Sequence, residues 1–367
     1  MKRRFLSRCF GMSAIAASFA ASPAFAQVTT GAVVPTLTLG AQTVTPTPVP
    51  SGESAWYYND STFPYFADVQ NGGQNQVYWG AGVPHRYEGA TLQSLAPSPG
   101  TDISDQAGTV SYAAGAPGTG VGSRTYDYNG DWMTGAQYCP CGDGSIVAFV
   151  HAENHVFTNG SGEWNSSGLY TSTDNGLHWV NEGEIVGSYE PTLKTNGGLN
   201  FTVSPIWQAS KSRWLGFADL IPIMSQDPHG MPGTWYALDN GNNSWDVHIQ
   251  PNISTYAETM ELIKGLNSQF NGGDILFDTY LNEYVMVHQV NGDSEHIWIA
   301  YSVDAFNWVD DSYVLTEPTG VLASYPQLIG TTDRSGGQTV QLVFDQSPAT
   351  GGNNKDIISM PLTFTLP

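Results

Sequence analysis

Beyond residue 60 the chain is written in short apolar runs, each stopped by Gly, Asn, Asp, Ser or Pro. Residues 146–150, 214–218, 284–288 and 340–344 are such runs, and 76–79 is a shorter one near the start. Runs this brief, rich in β-branched and aromatic residues, read as strands rather than helices. Ahead of each lies another strand-like segment, at 63–67, 132–138, 203–208, 275–280 and 325–329. Three of these carry proline near their start, at Pro64, Pro205 and Pro326, as the beginning of a strand tolerates. Nothing sustains a capped helical period; the nearest approach is 256–266.

The strands recur with a turn pattern. Ser172-x-Asp174-x-Gly176-x-x-Trp179 closes one segment, Asp239, Gly241 and Trp245 close a second, and Ser302, Asp304 and Trp308 close a third. Their tryptophans stand 66 and 63 residues apart, about the length of a four-stranded propeller blade with its loops. Five sets of runs predict an all-β chain built as a five-bladed β-propeller with four-stranded antiparallel blades. The blades fall at 56–125, 126–188, 189–255, 256–318 and 319–367, as one domain over 56–367. The Asp side chain in such turns caps the backbone amides of its own turn, and Trp fills the space between sheets.

The beginning of the chain differs. Lys2, Arg3, Arg4 and Arg8 precede an Ala- and Ser-rich apolar stretch that ends on Ala24-Phe25-Ala26, so 1–26 reads as a secretory signal. Residues 27–55 are rich in Thr, Pro and Val and read as an extended leader, in which 36–39 has the pattern of a closing strand. No later stretch approaches the ~18 apolar residues of a membrane span. A secreted or periplasmic protein without membrane insertion is therefore expected.

Losing the four cationic residues of the signal moves the formal charge from -21 to -25. That acidity excludes nucleic acid and anionic membrane as partners, since both require a basic footprint. Only 12% of residues are charged, while Gly, Asn, Ser, Thr and aromatics abound, which suits a neutral, hydroxyl-rich ligand. Once the signal is gone, Cys139 and Cys141 are the two remaining cysteines of three. They are read either as a small local disulfide or as two thiols in a loop, without a catalytic role. Their spacing alone is no zinc motif, which needs further ligands.

The turn at 172–179 resembles the Asp-box of sialidases, and the whole arrangement resembles the five-bladed glycoside hydrolases of families 43 and 32. The resemblance implies carboxylates gathered at one mouth of a central tunnel, acting on an oligo- or polysaccharide. The Asn-Asp-Pro-Asn-Gly and Arg-Asp-Pro signatures of fructan-cleaving members are absent, and so is the arginine cluster of a sialidase.

In a blade, strand one starts and strand two ends at the same mouth, because the two are antiparallel. Strand-one starts bring Asp60, Asp131 and Asp274 there; strand-two ends bring His151, Glu153, His155, Asp219, Gln289 and Asp345. Glu153 between two histidines is the expected general acid. Asp131 or Asp60 is the expected base or nucleophile, and Asp274 the tuning carboxylate. His151, His155, Trp132, Asp219, Trp207 and Tyr325 are the expected substrate-binding residues. No cofactor is required; a structural calcium near the axis is the one ion considered. The rival reading is a non-catalytic propeller that binds carbohydrate or protein.

Overall fold

Alternation of side chains along a strand leaves two faces to cover, and here both are covered. The burial of 146–150 is complete residue by residue, as a strand sandwiched between neighbouring sheets requires. The computed structural model describes residues 31–45, 65–66, 75–79, 85–98, 126, 130–154, 164–187, 197–198, 200–238, 244–246, 262–267, 270–332, 334–348 and 356–367. The described residues are all-β, with mainly antiparallel pairing.

Among the described residues the strands fall into five antiparallel meanders, the third and fourth joined into one sheet by a parallel pairing of Val203 with Gly273. The first comprises Tyr65–Phe66, Asn75–Trp79, His85–Gly89 and Ala96–Pro97. The second comprises Gly130–Tyr138, Ile146–Asn154, Trp164–Ser172 and Val180–Gly187. The third has five strands: Val203–Gln208, Arg213–Ala218, Ile221–Ser225, Trp235–Leu238 and Ser244–Asp246. The fourth comprises Phe270–Asp278, Glu283–Val290, Asp293–Ser302 and Val309–Thr316. The fifth comprises Val321–Ile329, Thr339–Pro348 and Asp356–Thr365, and Thr36–Leu39 adds to its outer edge antiparallel. Thr43–Thr45 pairs with Asp356–Thr365 as well.

The third meander departs from the four-strand expectation. Ile221–Ser225 is an extra strand, so Trp235–Leu238 is a fourth strand rather than a third. The repeat that begins at 235 is thus out of phase with those at 168–179 and 298–308. Of the helix candidate at 256–266, residues 256–261 lie outside the described residues and 262–266 form no helix.

Packing joins the meanders in order. Tyr78 of the first packs with Met133, Ala148 and Val150 of the second. Phe149 and Leu169 of the second pack with Trp214 and Trp235 of the third. Ile206 and Phe217 meet Ile275 and Met286 of the fourth. Val285 and Tyr301 meet Leu342 and Phe344 of the fifth. Ile329 and Val343 of the fifth return to Val77 and Tyr87 of the first. Burying aromatic and branched side chains of this size contributes roughly 1.5–3 kcal/mol each, so these seams carry much of the stability.

Candidate functional site

The first strand of each of the last four meanders carries a register shift against its second strand. The shifts fall at Met133/Gly135, Val203/Ile206, Phe270/Gly273 and Ser324/Gln327. Such bulges re-aim side chains and end regular pairing. In the fifth meander Tyr325 takes a left-handed φ of 53° at the bulge, and its N–H donates to Gln289 Oε1 at 3.0 Å. Gln289 Nε2 also donates to the Ala323 carbonyl at 2.8 Å, so this amide stitches the fourth meander to the fifth.

Alternation puts His151 and Glu153 on one face, with Trp132 opposite His151 and Gly130 opposite Glu153. Asn200 Nδ2 donates to His151 Nδ1 at 2.9 Å, leaving Nε2 to carry the ring proton toward Glu153 Oε1 at 3.3 Å. Trp132 packs edge-on to the imidazole, ring centroids 5.6 Å apart. Phe201, next to Asn200, donates its N–H to Ser167 Oγ at 2.8 Å, which fixes the approach of this segment to the second meander. An amide, an imidazole and a half-buried carboxylate are thus brought into one chain. Asn200 escaped sequence reasoning, because a single Asn before an apolar strand carries no local signal.

Asp131 pairs across from Ala152 and therefore lies on the other face from Glu153. It is fully buried and accepts a hydrogen bond from the Tyr170 hydroxyl. Asn181 donates to Tyr170 at 2.9 Å, and Tyr126 donates to Asn181 at 2.9 Å, so Asp131 ends a buried polar chain within the second meander.

Asp274 is also buried. Its Oδ1 pairs with Arg334 Nη1, and its Oδ2 accepts the Leu328 N–H at 2.9 Å. A Cβ at Gly135 would collide with Arg334 Nη2 and Ser204 Oγ. Inner strands of the second, third and fourth meanders therefore converge on one arginine from the fifth.

The remaining expected residues are dispersed. Asp219 ends the second strand of the third meander with a left-handed φ of 50°, exposed at its edge yet crowded enough by protein that desolvation pushes its carboxyl up. Trp207 lies toward the other end of its inner strand, edge-on to Trp214 at 5.4 Å, away from the Glu153 end. Asp345 is buried opposite Ser324. Asp60 and His155 lie outside the described residues.

The Asp turns are structural. Asp304 Oδ1 accepts the N–H groups of Phe306 and Asn307, each at 2.8 Å, and Ser302 Oγ donates to it at 3.0 Å. Asp174 Oδ1 accepts the His178 N–H at 2.9 Å, and Trp179 sits edge-on to Tyr78 across the first seam.

Comparison with known proteins gives resemblance in chain course only. No family model matches the chain, and no curated protein matches it. Among solved structures it is similar to an N-acetylgalactosamine deacetylase from F. plautii in complex with blood group B trisaccharide. That pair has 11% identity and a TM-score of 0.49, over 91% of this chain and 95% of the other. It is similar to the GH43_1 enzyme from Xanthomonas citri complexed with xylotriose, with 10% identity and a TM-score of 0.49, over 88% and 90%. A family 117 glycoside hydrolase from Zobellia galactanivorans has 8% identity and a TM-score of 0.49, over 90% and 91%. Likeness at these levels assigns no activity to this chain.

Proposed function

We propose that the protein is an exported glycoside hydrolase, a five-bladed β-propeller over 56–367 that acts on a neutral oligo- or polysaccharide. The cyclic order of the five packing seams and the outer strand at Thr36–Leu39 support the ring. The signal-like residues 1–26 support export.

The observation that carries the catalytic reading is the Asn200–His151–Glu153 chain. Glu153 gives a proton to the glycosidic oxygen; the His151 Nε2–H, 3.3 Å away, then stabilises the carboxylate left behind. Asn200 holds the imidazole in that tautomer. Of the two candidates for base or nucleophile, Asp60 is preferred, because Asp131 is bound by Tyr170 on the opposite face. The partner carboxylate must stand ~5 Å from Glu153 for retention or ~6.5–9.5 Å for inversion. Asp274, with both oxygens engaged, acts as a positioning residue through Arg334. Trp132, Asp219, Tyr325 and His155 contact the sugar, and the reaction needs no cofactor.

The test is a screen of the purified protein on furanosides, pyranosides and polysaccharides, with Glu153→Gln alongside. Loss of about 100-fold or more in turnover is expected. Unchanged turnover in Glu153→Gln removes the assignment of the acid. The second reading, a non-catalytic glycan-binding propeller, is favoured by the internal engagement of Asp131 and Asp274. Retention on a glycan by affinity electrophoresis without hydrolysis would establish it instead.

A further inference from the structure

The loop between the first two strands of the second meander, 139–145, faces the loop 226–234 of the third meander. Both lie at the end of the sheets opposite His151 and Glu153. Cys139 and Cys141 are joined there as a disulfide. Their sulfurs, an oxygen of Asp143 and a ring nitrogen of His229 all lie within 4.8 Å of one another.

The two non-sulfur groups are already oriented. Ser145 donates to Asp143 Oδ1 through its N–H at 2.8 Å and its hydroxyl at 2.6 Å, which turns Oδ2 toward His229 Nε2 at 3.2 Å. On the other side of the imidazole, Asp227 Oδ1 stands 3.8 Å from Nδ1. At that distance Asp227 is a charged neighbour of the ring, and its two oxygens accept the His229 and Met231 N–H groups, which shapes the loop that presents the imidazole. The Cys141 N–H points at Cys139 Sγ from 3.3 Å. A Cys-x-Cys pair supplies two ligands, and the fold brings in the other two from the same loop and from a loop of the next meander.

We propose that Cys139, Cys141, Asp143 and His229 form a redox-gated zinc site that clamps the second meander to the third. Two sulfurs, one imidazole nitrogen and one carboxylate oxygen make a four-ligand set suited to tetrahedral Zn2+. The hard carboxylate oxygen selects zinc over copper(I), which prefers sulfur alone. In the disulfide state neither sulfur is a thiolate, and the site is closed to metal. Opening the bond takes two electrons and two protons from an external thiol reductant, which leaves as its own disulfide. Zn2+ then binds as the two cysteine thiols release their protons to solvent.

The clamp is independent of the glycosidase reading, and its test uses no activity. The full-length protein is reduced anaerobically with a phosphine that does not bind metal, and Co2+ is added as a spectroscopic probe. The reduced protein should take up one equivalent, with a sulfur-to-cobalt charge-transfer band and tetrahedral visible bands, both erased by one equivalent of Zn2+. The oxidised protein should show neither. Cys139→Ser should abolish the thiolate band pattern, and His229→Ala and Asp143→Ala should each weaken binding by about ten-fold or more. His229 is substantially exposed, at 43%, and the melting curve of the oxidised His229→Ala variant should match the parent. Absence of a charge-transfer band in the reduced protein overturns the site. So does an unchanged spectrum and affinity in His229→Ala, because the sulfurs would then be binding on their own.

Discussion

Arg334 and Asp274 form a buried ion pair that joins the fifth meander to the fourth, and the same guanidinium fills the space left by the missing side chain at Gly135 in the second. Removing one member of such a pair strands the other charge away from water. Arg334→Met should cost about 3–5 kcal/mol in urea unfolding at neutral pH. Asp274→Asn in that background keeps an acceptor for Leu328 and should recover more than half of the loss. Additive losses in the double variant would show that the pair is not coupled. Gly135→Ala should also destabilise, since its Cβ has no room beside Arg334.

The Tyr126–Asn181–Tyr170–Asp131 chain predicts stability effects rather than catalytic ones. Asp131→Asn and Tyr170→Phe should each cost about 1–3 kcal/mol. Together they should cost less than their sum by at least ~0.5 kcal/mol, as residues in one network do. Chemical denaturation of the two singles and the double closes the cycle.

His151 is placed to stabilise Glu153 only while Asn200 holds its tautomer. Under the proposed hydrolase reading, Asn200→Ala should lower kcat by about ten-fold and displace one limb of the pH–rate profile, with KM little changed. An unaltered profile would separate Asn200 from the proton transfer.

At the Asp304 turn, partial desolvation pulls the carboxyl up. The Asn307 and Phe306 donors and the Ser302 hydroxyl outweigh it and hold the group below its usual range. A depressed folded pKa means that the stabilisation is full above the ordinary carboxylate range and is lost as pH falls through the folded value. Asp304→Ala should cost about 1–2 kcal/mol near pH 7 and much less near pH 3. Equal losses at both pH values would remove the carboxylate as the cause.

Glu283 works with the opposite sign. Burial pushes its carboxyl up, although Oε1 accepts the Val33 N–H at 2.7 Å. A raised folded pKa favours the fold at low pH, and that benefit disappears as pH climbs through the folded value. Glu283→Gln keeps the acceptor and discards the charge, so Tm should rise by ~1–3 °C near pH 7 and not near pH 4. Calorimetry at the two pH values checks it.

The strands were legible because short apolar runs bounded by Gly and Asp leave little alternative, and the Asp174 and Asp304 caps were legible because their donors are a few residues away. The extra strand Ile221–Ser225 was hidden: residues 214–224 read as almost continuous apolar chain, and the break is a two-residue turn whose Asp219 adopts a left-handed backbone. The face taken by Asp131 was hidden too. In a strand a shift of one position exchanges the faces, and pairing with Ala152 decides it. Arg334 and Asn200 meet their partners 60 and 49 residues away in sequence, and His229 meets Asp143 across 86. No local pattern records encounters at that range.

The outer partner of Asp356–Thr365 is Thr36–Leu39, separated from it by about 320 residues of chain. Thr36–Leu39 is made about 320 residues before the strand it pairs with, so that edge waits without its partner while the intervening chain is synthesised. Completion of that sheet is then a long-range closure, resisted by loop-closure entropy and not helped by any local preference.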